Sequence, residues 1–101
     1  DLQDLWQPAV LRLLHMVGDA GRRAGKPVGV CGEAAANPAL AAVLVGLGVT
    51  SLSMALRALE PVRRALARVT IEDCRRAAEA ALMSSDPAAA STEVSRLLAM
   101  R

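Results

Sequence analysis

Apolar residues recur at helical spacing at Val10, Leu13, Leu14, Val17 and Ala20, with Pro8 placed for a first turn and Gly25 placed to end it. The pattern predicts an amphipathic helix over residues 8–23 that buries those five positions. Pro27-Val28-Gly29-Val30-Cys31 is too short an apolar run for a helix, is bounded by Gly32, and predicts a strand buried on both faces. Asn37-Pro38 reads as a helix cap followed by a first-turn proline. Leu40, Val43, Leu44 and Leu47 mark one side of the short helix behind it, which ends in Gly46-Leu47-Gly48. Residues 49–54 alternate between apolar and polar and predict a second strand. Three helices complete the chain: 61–68 from Pro61, 71–84 behind the capping pair Thr70 and Asp73, and 92–100 behind Ser91.

Helix, strand, short helix, strand, joined by brief turns, is the rhythm of βα units with parallel strands. Two parallel strands cannot shield both of their faces, so the missing neighbours are expected from a larger barrel or from other copies of the chain. No repeat or linker divides the 101 residues. Ser84-Ser85-Asp86-Pro87 and the alanines behind it predict a loose joint, so that 84–101 is a loosely attached C-terminal helix. The chain opens on Asp1 in mid-pattern, as an excised segment would.

Composition narrows the picture. Apolar residues make up 53% of the chain, enough for a core, and they are almost all aliphatic, with Trp6 the single aromatic. Close packing of small side chains must replace large buried rings, which favours helices. The formal charge of +2 arises from twelve cations and ten acids interspersed along the chain. That is not the clustered basic stripe of a nucleic-acid binder, and absent salt-dependent binding would close that reading. The pairs Arg22-Arg23, Arg63-Arg64 and Arg75-Arg76 fall at helix ends or on polar faces, where solvation accounts for them. No apolar run is long enough to span a bilayer, and two cysteines in unlike contexts point to a reduced, cytoplasmic setting.

Chemistry concentrates at Gly29-Val30-Cys31-Gly32-Glu33, which sets a thiol at the C-terminal end of a predicted strand, the end that carries the active site in parallel α/β barrels. Gly32 would let backbone approach a ligand closely, and Glu33 would set a carboxylate at the mouth. The residues alone leave Cys31 open between that role and a small buried side chain filling a strand end.

Three stretches carry a resemblance: Pro8-Ala9-Val10-Leu11-Arg12-Leu13, then Gly25-Lys26-Pro27-Val28-Gly29-Val30-Cys31-Gly32-Glu33-Ala34-Ala35, then Leu47-Gly48-Val49-Thr50-Ser51-Leu52-Ser53-Met54. Together they resemble the end of the phosphoenolpyruvate-protein phosphotransferases, Enzyme I of the bacterial sugar phosphotransferase system, over about residues 8–81. Pyruvate phosphate dikinase and phosphoenolpyruvate synthase share a related Cys-Gly-Glu segment. The resemblance implies that residues 1–101 are the terminal part of a (β/α)8 TIM barrel, namely its last two parallel strands with their helices. It implies that Cys31 is the acid that protonates the methylene carbon of enolpyruvate, that Gly32 and Glu33 border the substrate, and that Ser53 and Met54 lie near the pocket floor. A thiol suits that task, since a free thiol titrates near pH 8.5 and stays mostly protonated at neutrality. The resemblance also implies a cytoplasmic enzyme that uses magnesium, passes phosphate through its own histidine to a histidine-containing phosphocarrier protein for sugar transport, and forms a homodimer. The magnesium ligands and the phosphate-binding arginines of the family lie on earlier strands, outside this chain. The segment alone is therefore expected to be inactive and to self-associate through exposed apolar surface. Ala34-Ala35-Ala36-Asn37 departs from the family's usual sequence after Cys-Gly-Glu.

Other candidates carry less. His15 sits in mid-helix and reads as an ordinary helix residue, because the family's phosphorylated histidine lies in another domain. Cys74 has no partner at metal-ligand spacing and reads as packing. Gly46-Leu47-Gly48 follows a helix and lacks the third glycine of a dinucleotide loop. A competing reading of a different class is a mostly helical interaction module in which Cys-Gly-Glu is only a turn between helices. It predicts little strand content.

Overall fold

The computed structural model describes residues 4–99. In chain order the elements are α1 (Pro8–Ala24), β1 (Gly29–Cys31), α2 (Glu33–Ala36), α3 (Pro38–Gly46), β2 (Ser51–Ser53), α4 (Leu56–Ala67), α5 (Ile71–Met83) and α6 (Pro87–Ala99). The protein is a helix-rich α/β segment with one two-stranded sheet, as the rhythm of the sequence predicts. The strands run parallel, with Gly29 opposite Ser51, Val30 opposite Leu52 and Cys31 opposite Ser53. Cys31 thus ends a strand, which the reading of Cys-Gly-Glu as only a turn between helices does not include, although the strands are short and the described residues are mostly helical.

Local chemistry explains the element boundaries. The Asn37 side chain accepts the Leu40 N–H at 3.1 Å and starts α3. At α5 the Thr70 hydroxyl accepts the Asp73 N–H (3.1 Å) while the Asp73 carboxylate accepts the Thr70 N–H (2.9 Å), a reciprocal capping box. Gly25, in the left-handed conformation, closes α1 where the sequence places it. Two helices start earlier than the sequence predicts. Rather than opening α4, Pro61 lies inside it and on its exposed side, where water can satisfy the carbonyl one turn earlier. Helix α6 begins at Pro87 instead of Thr92. The Asp86 carboxylate accepts the Ala89 N–H at 2.8 Å, so Asp86-Pro87 is a cap and first-turn proline like Asn37-Pro38.

The core lies among α3, α5 and α6. Leu40, Ala41, Ala42, Val43, Leu44 and Leu47 are all buried in or just after α3, which is covered on every side. Ala77, Ala78 and Ala81 of α5 and Ala90 and Val94 of α6 close around them, with Trp6 packed at the same cluster. Small residues let the helices approach closely. A Cβ on Gly46 would stand 2.1 Å from the Cys74 carbonyl oxygen, so only glycine fits where α3 crosses α5.

The same device corrects the expected face of α1. Leu11, Gly18 and Gly21 are its buried residues, whereas Leu13 and Val17, expected inside, are 62% and 52% exposed and Ala20 is exposed too. A Cβ on Gly18 would lie 2.1 Å from the Leu47 carbonyl oxygen, and one on Gly21 would lie 2.5 Å from a Val28 methyl carbon. Helix α1 therefore docks through its glycines, and Leu13, Met16 and Val17 form an apolar stripe on the opposite side.

The strands also differ from expectation. Val30 and Leu52 are half-buried against the helical core, but Gly29, Cys31, Ser51 and Ser53 are exposed. The sheet is covered on one face only, because no other element among the described residues lies over the second. No described helix is long and apolar enough to cross a membrane.

Candidate functional site

Parallel pairing brings the C-terminal ends of β1 and β2 side by side. The entrance to the pair is fixed by Thr50, whose hydroxyl accepts the Val28 N–H (2.9 Å) and donates to the Val28 carbonyl (3.1 Å), while the Thr50 N–H donates to the same carbonyl at 2.8 Å. At the exit the Gly32 N–H donates to the Ser53 carbonyl at 3.1 Å. These bonds set the register on either side of a three-residue ladder and leave no freedom for the slip that would turn Cys31 to the other face.

Cys31 ends β1 with an exposed, free thiol. Gly32 follows with φ 100° and ψ −160°, a backbone region that glycine alone enters readily. Nothing lies within 4 Å of where its Cβ would be, so this glycine is required by its dihedral angles and not by crowding. The chain reverses there into α2, and Glu33, its first residue, carries an exposed carboxylate beside the strand end. Cys31, Gly32, Glu33 and Ser53 thus gather at one end of the sheet. Met54 follows Ser53 directly and is half-buried.

The remaining candidates lie elsewhere. His15 is exposed on α1, on the rim of a cleft of about 660 Å³ that is also lined by Lys26, Val49, Thr50 and Arg75. Lys26, Val49 and Thr50 precede the strands, so this cleft opens at the opposite end of the sheet from Cys31. Nothing in the spacing of polar residues announces it; its signal in the sequence is the glycine at position 18 and those at 46 and 48 that shape its wall. Cys74 is buried, and burial together with the charge of the neighbouring Asp73 pushes its thiol up from the ordinary value. The thiol is a packing group. Arg22 and Arg23 share Asp19, and Arg75 bonds Glu72 at 2.8 Å, all at exposed positions.

Among the described residues no three His, Cys, Asp or Glu side chains come together to hold a metal ion. Beside Cys31 the single carboxylate is Glu33, whereas magnesium asks for octahedral oxygen ligands. The described residues do not by themselves supply the ligands of a resident magnesium ion.

An exposed strand-end cysteine followed by a glycine-only turn, beside a second parallel strand, gives the class of a β/α segment. The chain belongs to the family described as PEP-utilising enzyme, PEP-binding domain, whose model matches residues 1–71. It is similar to the phosphoenolpyruvate-protein phosphotransferase of Streptomyces coelicolor, at 50% identity over 96% of this chain and 17% of that protein. Proteins of the same name from Mycoplasma genitalium and Haloferax volcanii are 38% and 37% identical over 80% and 99% of this chain. The chain spans 14% and 17% of the length of those two relatives.

Proposed function

We propose that the chain is the terminal segment of a barrel enzyme that takes the phosphoryl group of phosphoenolpyruvate onto its own histidine and on to a carrier protein, releasing pyruvate. Cys31 is the acid of that reaction. The observation that carries this reading is the position of Cys31: an exposed thiol at the C-terminal end of a parallel strand, inside the stretch that matches the family. Once the phosphoryl group has left, the enolate of pyruvate needs one proton on its methylene carbon. The Cys31 S–H bond breaks, a C–H bond forms, and the electron pair stays on sulfur until solvent restores the proton. Gly32 keeps the approach to the thiol free of a side chain, and Glu33 sets an exposed carboxylate at the start of the helix that follows.

The rest of the machinery belongs to the remainder of the protein. The phosphorylated histidine and the carrier's docking surface lie outside this segment, as do the ligands of any magnesium ion, so the segment alone is inactive. The junction of Ser84 to Asp86 serves as the joint before α6, the helix that packs Ala90 and Val94 into the core. The covered state of the outer sheet face and of the Leu13, Met16, Val17 stripe is reached in the whole barrel, in a homodimeric, cytoplasmic enzyme. Coupled turnover of phosphoenolpyruvate to pyruvate by the full-length protein, with magnesium and its carrier, tests the assignment. Cys31→Ala is expected to abolish turnover with the fold retained; undiminished turnover would return Cys31 to a packing role.

A further inference from the structure

We infer that Ser53 is the positioning residue of the strand-end thiol, donating its hydroxyl hydrogen to the Cys31 sulfur when that sulfur has given up its proton. The inference rests on the reading of Cys31 as the acid and adds a second side chain to it. Paired residues of a parallel ladder send their side chains to the same face, and Cys31 is opposite Ser53. Neighbouring strands stand about 4.8 Å apart, within reach of a hydroxyl and a thiol on adjacent backbones. Both residues are exposed on the uncovered face, whereas the pair between the two serine-bearing rungs, Val30 and Leu52, turns to the core.

The serine-bearing rung two residues below shows how near a β2 side chain comes to β1. The Ser51 hydroxyl oxygen lies 2.9 Å from the place a Cβ on Gly29 would occupy, so a serine of β2 leans across to the β1 residue opposite. At the serine-bearing rung two residues on, the residue opposite is Cys31, whose Cβ fills the space the Ser51 hydroxyl leans into, so Ser53 would reach the sulfur from a different rotamer. The Ser53 carbonyl is meanwhile engaged by the Gly32 N–H, which fixes the serine backbone against the turn that follows the cysteine. A hydroxyl on a fixed backbone has only its own side-chain rotation to make when charge appears on sulfur. The proton that leaves Cys31 goes to the substrate carbon; the one on Ser53 stays on oxygen throughout.

The test uses the full-length enzyme with Ser53→Ala, the shape-matched pair Ser53→Thr and Ser53→Val, and Cys31→Ala as reference. It reads kcat and KM for phosphoenolpyruvate, and separately the rate of Cys31 alkylation by iodoacetamide at fixed pH, followed on the Cys31 peptide by mass spectrometry. Loss of a hydrogen bond to a charged group predicts that Ser53→Ala and Ser53→Val lower kcat roughly ten- to a hundredfold with KM little changed. Alkylation of Cys31 slows several-fold in the same two variants, since less thiolate is held, and Ser53→Thr restores both readouts. If Cys31→Ala abolishes turnover while Ser53→Ala and Ser53→Val keep kcat and alkylation within about twofold, Ser53 has no such role and the acid assignment stands. Turnover that survives Cys31→Ala would overturn the acid assignment itself and the role of Ser53 with it.

Discussion

Helix α3 and the outer face of the β1–β2 sheet are neighbours in the chain and opposites in environment. The helix is covered on every side by aliphatic residues, with Leu44 and Val43 fully buried. The sheet face shows Gly29, Cys31, Ser51 and Ser53 to solvent, and all four are small. Stability in this segment comes from the helical side, where burial of each aliphatic side chain contributes about 1.5–3 kcal/mol. The open face adds little to that and keeps a thiol and hydroxyls accessible. One side of the segment holds the fold, and the other is open to solvent.

Substitutions can break that contrast in order of size. Leu44→Ala empties a fully buried site and is expected to destabilise the chain by about 3 kcal/mol, read from the urea midpoint. Gly46→Ala drives a Cβ into the Cys74 carbonyl and is expected to cost about 2 kcal/mol by the same measure. An unchanged midpoint in either would mean that α3 is not the anchor described here. Thr70→Ala removes one half of the capping box of α5 and is expected to cost about 1 kcal/mol.

A pH effect comes next. The raised Cys74 thiol keeps its proton in the folded chain after the unfolded chain has lost it. Its contribution is therefore full below the ordinary thiol range and declines as pH rises through it. Urea midpoints measured across that range should fall less steeply in Cys74→Ala than in the unaltered chain; parallel slopes would rule out the link. Smallest of all, Leu13→Ser on the exposed stripe of α1 is expected to change the stability of the chain by less than about 0.5 kcal/mol. It should instead reduce self-association of the segment in sedimentation. A large loss of stability from this change would place Leu13 inside a core, as the sequence periodicity first suggests.

That last contrast shows where sequence reading works and where it stops. The helix of residues 8–23 is legible from its period, yet the period selects Leu13 and Val17 as the inner face. It misses the docking surface because glycines at 18 and 21, which score as weakly apolar, permit a backbone approach that outranks larger side chains. Asn37-Pro38 is read correctly as a cap, while the same signal at Asp86-Pro87 is hidden by the alanine run that resembles a joint. Pro61 misleads because an exposed proline is tolerated inside a helix when water can take the freed carbonyl. At the site, Cys31 stands out through its strand-end position and the glycine after it. The partnership of Cys31 with Ser53 depends on register, and a slip of one residue would reverse it, so no one-dimensional pattern contains it.

The central claim is that Cys31 carries the proton to and from the methyl carbon of pyruvate. The most direct measurement is exchange of pyruvate methyl hydrogens for deuterium in heavy water, followed by proton NMR, with the full-length enzyme in its phosphorylated form and magnesium present. The account predicts that the unaltered enzyme washes out the methyl signal and that Cys31→Ala does not, although both bind pyruvate. Equal exchange in the two proteins would contradict it and move the acid to another residue.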